Sequence, residues 1–133
     1  MKLKSMNFCL LVENFSVCYH FYRDVLDFIP VFGTDAEEYA EFDTGGGLLA
    51  LFTRSGMAEA TGAEERPANC LMQDRAVLVL TVENVDETVK ELEARGVRLA
   101  APLTDRPAWG ARTAHFYDPD GNLIEVNHPI PMN

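Results

Sequence analysis

The sequence predicts an α+β fold made of two tandem copies of one unit: strand, helix, strand, then a two-stranded hairpin. Three observations carry that prediction. Val12-Glu13-Asn14-Phe15 recurs 70 positions later as Val82-Glu83-Asn84-Val85, each time after an apolar run and before a stretch of helical period. Phe42-Asp43-Thr44-Gly45-Gly46-Gly47-Leu48-Leu49-Ala50-Leu51 recurs 75 positions later as Tyr117-Asp118-Pro119-Asp120-Gly121-Asn122-Leu123-Ile124-Glu125-Val126. Between the copies, Gly, Pro, Ala and Glu follow one another without apolar periodicity, as in a linker. The expected organisation is one domain over residues 1–133, with module one at 5–54, a linker at 55–74 and module two at 75–130.

In module one the first strand is Phe8-Cys9-Leu10-Leu11. Alternation puts Phe8, Leu10 and Val12 on a face suited to helix packing, and Asn7, Cys9 and Leu11 on the other. Val17, Phe21 and Val25 recur at helical spacing with Tyr22 and Leu26 beside them; Tyr22 is expected in the core and His20 toward solvent. Gly45-Gly46-Gly47 is followed by neither a helix nor Lys-Ser/Thr, so it reads as a hairpin turn rather than a phosphate loop. Beyond it, Leu48, Ala50 and Phe52 share a face.

Module two opens on the strand Val77-Leu78-Val79-Leu80. Asn84 is positioned as an N-cap with Glu87 three residues on, Val85, Val89 and Leu92 form the buried stripe, and Gly96 ends the helix. The growth of the offset from 70 to 75 places extra loop residues around Pro102 to Gly110. Asp118-Pro119-Asp120-Gly121 is a strong turn signal: Pro presets the first turn dihedral and Gly takes the left-handed one. A type I turn with Gly121 as the bulge pairs Asp118 with Asn122 and sets His115 opposite Glu125 on one face. Ile124 and Val126 then pack on the helix, and Leu123, Glu125 and Asn127 face the other way.

Composition narrows the function classes. Of 133 residues, 47% are hydrophobic, which suits a folded domain and argues against disorder. Asp and Glu outnumber Lys and Arg by 21 to 11, a net charge of −10, which disfavours a nucleic-acid surface and favours cations. The apolar runs are too short for a membrane span, and Asn7 and Glu13 interrupt the basic start, so neither a membrane partner nor a secretory signal is expected. Three widely spaced cysteines (Cys9, Cys18 and Cys70) suit reduced thiols in the cytoplasm.

Phe21-Tyr22-Arg23-Asp24-Val25-Leu26 and Tyr117-Asp118-Pro119-Asp120-Gly121-Asn122-Leu123-Ile124-Glu125 resemble the vicinal oxygen chelate superfamily: glyoxalase I, bleomycin-resistance proteins, fosfomycin-resistance enzymes and extradiol dioxygenases. The resemblance implies two βαβββ modules forming a curled mixed sheet around a shared, half-open cavity, usually in a homodimer. Asp27 departs from the Gly that often ends the first helix in that superfamily. The resemblance also implies metal ligands from the first and last strands of each module. Aligned through the repeat, those positions are Asn7, Ala50, Val77 and Glu125. Ala and Val donate nothing, and a catalytic divalent metal needs about three protein ligands. No metal and no cofactor are therefore expected.

Other residues widen the candidate site. His115 beside Glu125 could stiffen the hairpin, act as an acid/base pair, or form two legs of an unorthodox metal site. Trp109, the one tryptophan, either lids a ligand or seals the core beneath its loop. Arg112 falls on the face opposite His115, as a surface or helix-pairing charge, and Cys9 has no evident electropositive neighbour to activate it. The expected ligand-binding residues are Asn7, Cys9, Ala50, Phe52, Val77, Trp109, His115 and Glu125, with Glu125 and His115 as the catalytic candidates. The leading reading is a non-enzymatic protein, similar to the bleomycin-resistance branch, that holds a partly apolar or cationic small molecule without a metal. The alternative is a glyoxalase- or dioxygenase-like enzyme using Glu125 and His115 at a rearranged metal site. A regulatory ligand sensor shares the features of the first.

Overall fold

In a computed structural model, which describes residues 1–63 and 74–132, the repeat becomes two compact units, Met1–Cys70 and Leu71–Asn133. Each holds one four-stranded mixed sheet. In the first unit the order is β1 (Phe8–Val12), β4 (Leu48–Thr53), β3 (Tyr39–Asp43), β2 (Ile29–Phe32). In the second it is β5 (Val77–Thr81), β8 (Leu123–Pro129), β7 (Ala111–Tyr117), β6 (Leu99–Arg106). In both, the first strand runs parallel to the last and the remaining pairs are antiparallel. This is the α+β class and the module order that the repeat predicted.

The first unit buries Leu10 and Val12 of β1, Ala40 and Phe42 of β3, and Leu49 and Leu51 of β4. The helix α1 (Phe15–His20) and the π-helical turn after it (Phe21–Val25) add Phe15, Cys18, Tyr19 and Tyr22. Tyr22 is in the core as expected, but the buried stripe is not Val17, Phe21 and Val25: Val17 is 55% exposed. The stripe is instead carried by Phe15, Cys18, Tyr19 and Tyr22 at i, i+3, i+4 and i+7 spacing. The turn also widens there, with the Leu26 N–H bonded to the Phe21 carbonyl, which displaces later positions around the axis. Asp27 then takes the left-handed conformation (φ 58°), the role for which glycine is the usual residue.

Two segments read as irregular are ordered. Within the expected linker lies helix α2 (Arg54–Thr61), capped by Thr53, whose Oγ1 accepts from the Gly56 N–H, and closed by Gly62 at φ 71°. It buries no side chain, so it has no apolar period to reveal it. Residues 64–73 of that linker, Cys70 among them, lie outside the described residues. The extra residues of module two are not a loop over Pro102 to Gly110: they lengthen β6 to 8 residues against 4 in β2, with register shifts at Leu99/Ala101 and Ala101/Thr104. Pro102 is tolerated because β6 is the last strand in the order, where a missing N–H costs no ladder bond. Only Pro107–Trp109 remain as a 3₁₀ turn.

Helix α3 (Val85–Ala94) starts and ends as predicted. Asn84 accepts from the Glu87 N–H, Val85, Val89 and Leu92 are buried, and Gly96 is left-handed. It packs on β7 and β8, where Ala114, Phe116, Ile124 and Val126 are buried. Asp86 on α3 receives a bidentate pair from Arg112 of β7 (2.8 and 2.9 Å), so Arg112 is the helix-pairing charge that alternation implied. That guanidinium holds the Asp86 carboxyl below its ordinary range.

Candidate functional site

The hairpin between β7 and β8 builds the centre of the site. The Asp118 N–H bonds the Asn122 carbonyl and Gly121 is left-handed, so chain connectivity alone sets Tyr117 against Leu123 and His115 against Glu125. His115 Nε2 lies 2.9 Å from Glu125 Oε1. The carboxylate can only accept, so the ring nitrogen donates. Asn127 Nδ2 donates to the other oxygen, Oε2, at 2.7 Å, and the Thr81 hydroxyl donates to Asn127 Oδ1 at 2.9 Å. Four side chains on the face opposite α3 thus form one hydrogen-bonded chain across β7, β8 and β5. Of these, His115 and Glu125 are only 14% and 12% exposed.

Around this chain the face is apolar. Across the parallel pair, Val79 stands opposite Glu125, and Val77 stands opposite Leu123. Val77 is half-exposed and points away from α3, as alternation required, but the neighbour of Glu125 is Val79. Trp109 is 60% exposed, so it does not seal the core. The Arg106 guanidinium lies over its ring, 4.7 Å from the centroid.

The other candidates fall in the first unit. Cys9 stands opposite Ala50, which is also paired with Glu41, and Phe52 stands between Leu11 and Tyr39. Asn7 precedes β1 and is exposed, so it is not the cross-strand neighbour of Ala50. The Phe52 ring packs beneath α2, where a Cβ on Gly56 would come within 2.6 Å of it. Partial desolvation pushes the Cys9 thiol up, against a role as nucleophile. Tyr39, whose hydroxyl donates to Glu41 Oε2 at 2.7 Å, is pushed up to about 12 by that bond, so it stays a protonated donor at neutral pH. His20 is half-exposed and bonds Asp35 at 2.8 Å and Arg23 at 2.8 Å, a surface cluster on α1.

The model of the Glyoxalase/Bleomycin resistance protein/Dioxygenase superfamily matches residues 6–126. The chain belongs to that superfamily. Uncharacterized protein YraH of Bacillus subtilis (strain 168) is 39% identical over 125 residues, covering 93% of this chain and 97% of that protein. Among solved structures, a glyoxalase/bleomycin resistance protein/dioxygenase from Nocardioides is similar with a TM-score of 0.78 at 24% identity, covering 98% of this chain and 85% of the other. A lactoylglutathione lyase from Agrobacterium tumefaciens gives a TM-score of 0.71 at 22% identity, covering 93% and 92%. At those identities the two structures support the fold alone.

The superfamily includes metal-dependent enzymes, whose chemistry needs several ligating side chains converging on one ion. Among the described residues, no three or more His, Cys, Asp or Glu side chains come together to hold an ion. Glu125 has one such neighbour, His115; its other neighbours are the neutral Asn127 and the aliphatic Val79. Both carboxylate oxygens already accept hydrogen bonds. Two donors bonded to each other do not fit a catalytic divalent metal, which takes about three protein ligands and leaves a position open.

In each unit the sequence leaves polar contacts hidden. Asn127 was placed on the right face without its bond to Glu125. Tyr39 with Glu41 was not singled out. Arg106 was hidden because its segment read as loop, although an Arg three residues before a lone Trp was visible.

Proposed function

We propose that the protein is a small-molecule binding member of its superfamily. It holds a partly apolar ligand against the face of β5, β7 and β8 opposite α3, without a metal. The observation that carries this reading is the Glu125 carboxylate. It is held on one oxygen by His115 and on the other by Asn127, nearly buried, and flanked by Val77, Val79 and Leu123. A fixed carboxylate among aliphatic side chains suits a ligand with an apolar body and a cationic or hydroxyl donor. The net charge of −10 favours cations further. His115 then orients the acceptor, and no covalent step is assigned to it. A homodimer and a cytoplasmic setting belong to the same reading. Exposed Ile29, Val31 and Phe32 on β2 support the first, and the free thiol of Cys9 supports the second. No helix among the described residues is long and apolar enough to cross a membrane.

The competing reading, a metal-dependent lyase or dioxygenase using Glu125 and His115, is separated by elemental analysis of protein purified without chelator. The binding reading expects well under one tenth of an equivalent of Ni, Zn, Fe or Mn per chain. One equivalent per chain would overturn it.

A further inference from the structure

Arg106, the last residue of β6, is held in two ways. Its Nε–H donates to Thr113 Oγ1 at 2.9 Å, and its guanidinium lies over the Trp109 ring. Thr113 is wholly buried and Trp109 is exposed, so the arginine is anchored at the sheet and opens outward. Thr113 shares the His115 face of β7 and stands opposite Asn127. The Arg106 Nε therefore sits by the row next to His115 and Glu125, about 7 Å along at roughly 3.3 Å per residue, with Glu125 one strand spacing of about 4.8 Å further across.

Its fixed guanidinium is the distinctive feature. Arg112 is paired with both Asp86 and Asp105, and Arg23 with Asp24. Among the described residues Arg106 has no carboxylate partner, as Arg54, Arg75 and Arg98 have none, but it alone of these four is held by both a buried hydroxyl and an aromatic ring. Only the Nε–H of its five donors is used within that set, leaving the two NH₂ groups for a ligand. Stacking on an aromatic face fixes the plane of the guanidinium, and a fixed, partly desolvated fork suits a planar oxyanion.

We propose that Arg106 is an anion-binding residue of this face. It takes the carboxylate of an amphoteric ligand whose donor or cationic group reaches Glu125, roughly 8 Å away on the diagonal from Thr113 on β7 to Glu125 on β8. The ligand class is then an aromatic or cyclic acid with an amine or hydroxyl at its far end. An α-amino acid is excluded, because its two charges are adjacent. The inference rests on the binding reading above and narrows it.

The test uses the whole chain, isotope-labelled, with 4-(aminomethyl)benzoate, benzoate and benzylamine as probes. The indole N–H of Trp109 reports the Arg106 end, since the chain has one tryptophan, and the His115 ring reports the Glu125 end. 4-(Aminomethyl)benzoate is expected to shift both signals, and benzoate the Trp109 signal. Arg106→Gln should weaken both acids at least tenfold and change benzylamine less than twofold. Arg106→Lys, which keeps the charge and loses the fork, should fall between and guards against a folding defect in the first variant. If benzylamine shifts the His115 face while benzoate leaves Trp109 unmoved, or binds equally to Arg106→Gln, the anion site is wrong and the binding reading stands. If none of the probes shifts a resonance of β5, β7 or β8, both fall.

Discussion

Phe42→Ala is expected to destabilise the first unit by about 3–5 kcal/mol, the usual cost of emptying a buried phenylalanine site. Phe42 is wholly buried on β3, and its ring lies 5.1 Å from that of Tyr19 and 6.4 Å from that of Tyr22, which stacks on Phe28 at 5.9 Å. Removing it opens a cavity bounded by α1 and the π-helical turn, and two tyrosines cannot shift to fill it without moving their hydroxyls. Urea unfolding followed by tyrosine fluorescence measures the loss, with Phe42→Leu as the milder control. A loss below about 1 kcal/mol would mean that the aromatic cluster is not close-packed.

Asp118→Ala should cost about 2–3 kcal/mol and disturb the site as well, because it strips a charge-assisted turn. Asp118 Oδ1 accepts from the N–H groups of Asp120 and Asn122, both at 2.8 Å, and Oδ2 accepts from Asn122 Nδ2 at 2.8 Å. The residue is buried, so the abandoned N–H groups keep part of their desolvation penalty. The same turn holds the register that faces His115 with Glu125. Unfolding measurements should therefore fall together with the NOE between the His115 and Glu125 strands. Asp118→Asn, which keeps an acceptor oxygen, should recover part of both. An Asp118→Ala protein with full stability would show that the register is set by sheet packing instead.

What was legible in the sequence was local or carried by the repeat. Helix α3 could be read because its cap, its stripe and its stop all lie within thirteen residues of Asn84. The His115–Glu125 pairing could be read because a short turn transmits register along the chain with no reference to the rest of the fold. Features set over longer range were not legible. Nothing local ties β5 to β8, so the repeat aligned Val77 with Asn7 but could not show that Val79 is the neighbour of Glu125. The buried face of α1 is obscured because Cys18 and Tyr19 carry it while the more apolar Val17 faces out, and because the chain widens into a π-helical turn. Helix α2 buries nothing and so left no periodic trace. Arg106 is hidden because Pro102 and Pro107 give its lengthened strand the composition of a loop.

The central claim is that Glu125 anchors a ligand on this face without a metal. It is tested most directly by titrating the labelled protein with benzylamine in the presence of EDTA, for the wild type and for Glu125→Gln. Shifts centred on Val79, His115, Glu125 and Asn127 are expected, with affinity at least tenfold weaker in the variant and the rest of its spectrum unchanged. Equal affinity in Glu125→Gln, or binding that appears only after a divalent metal is restored, would contradict the account.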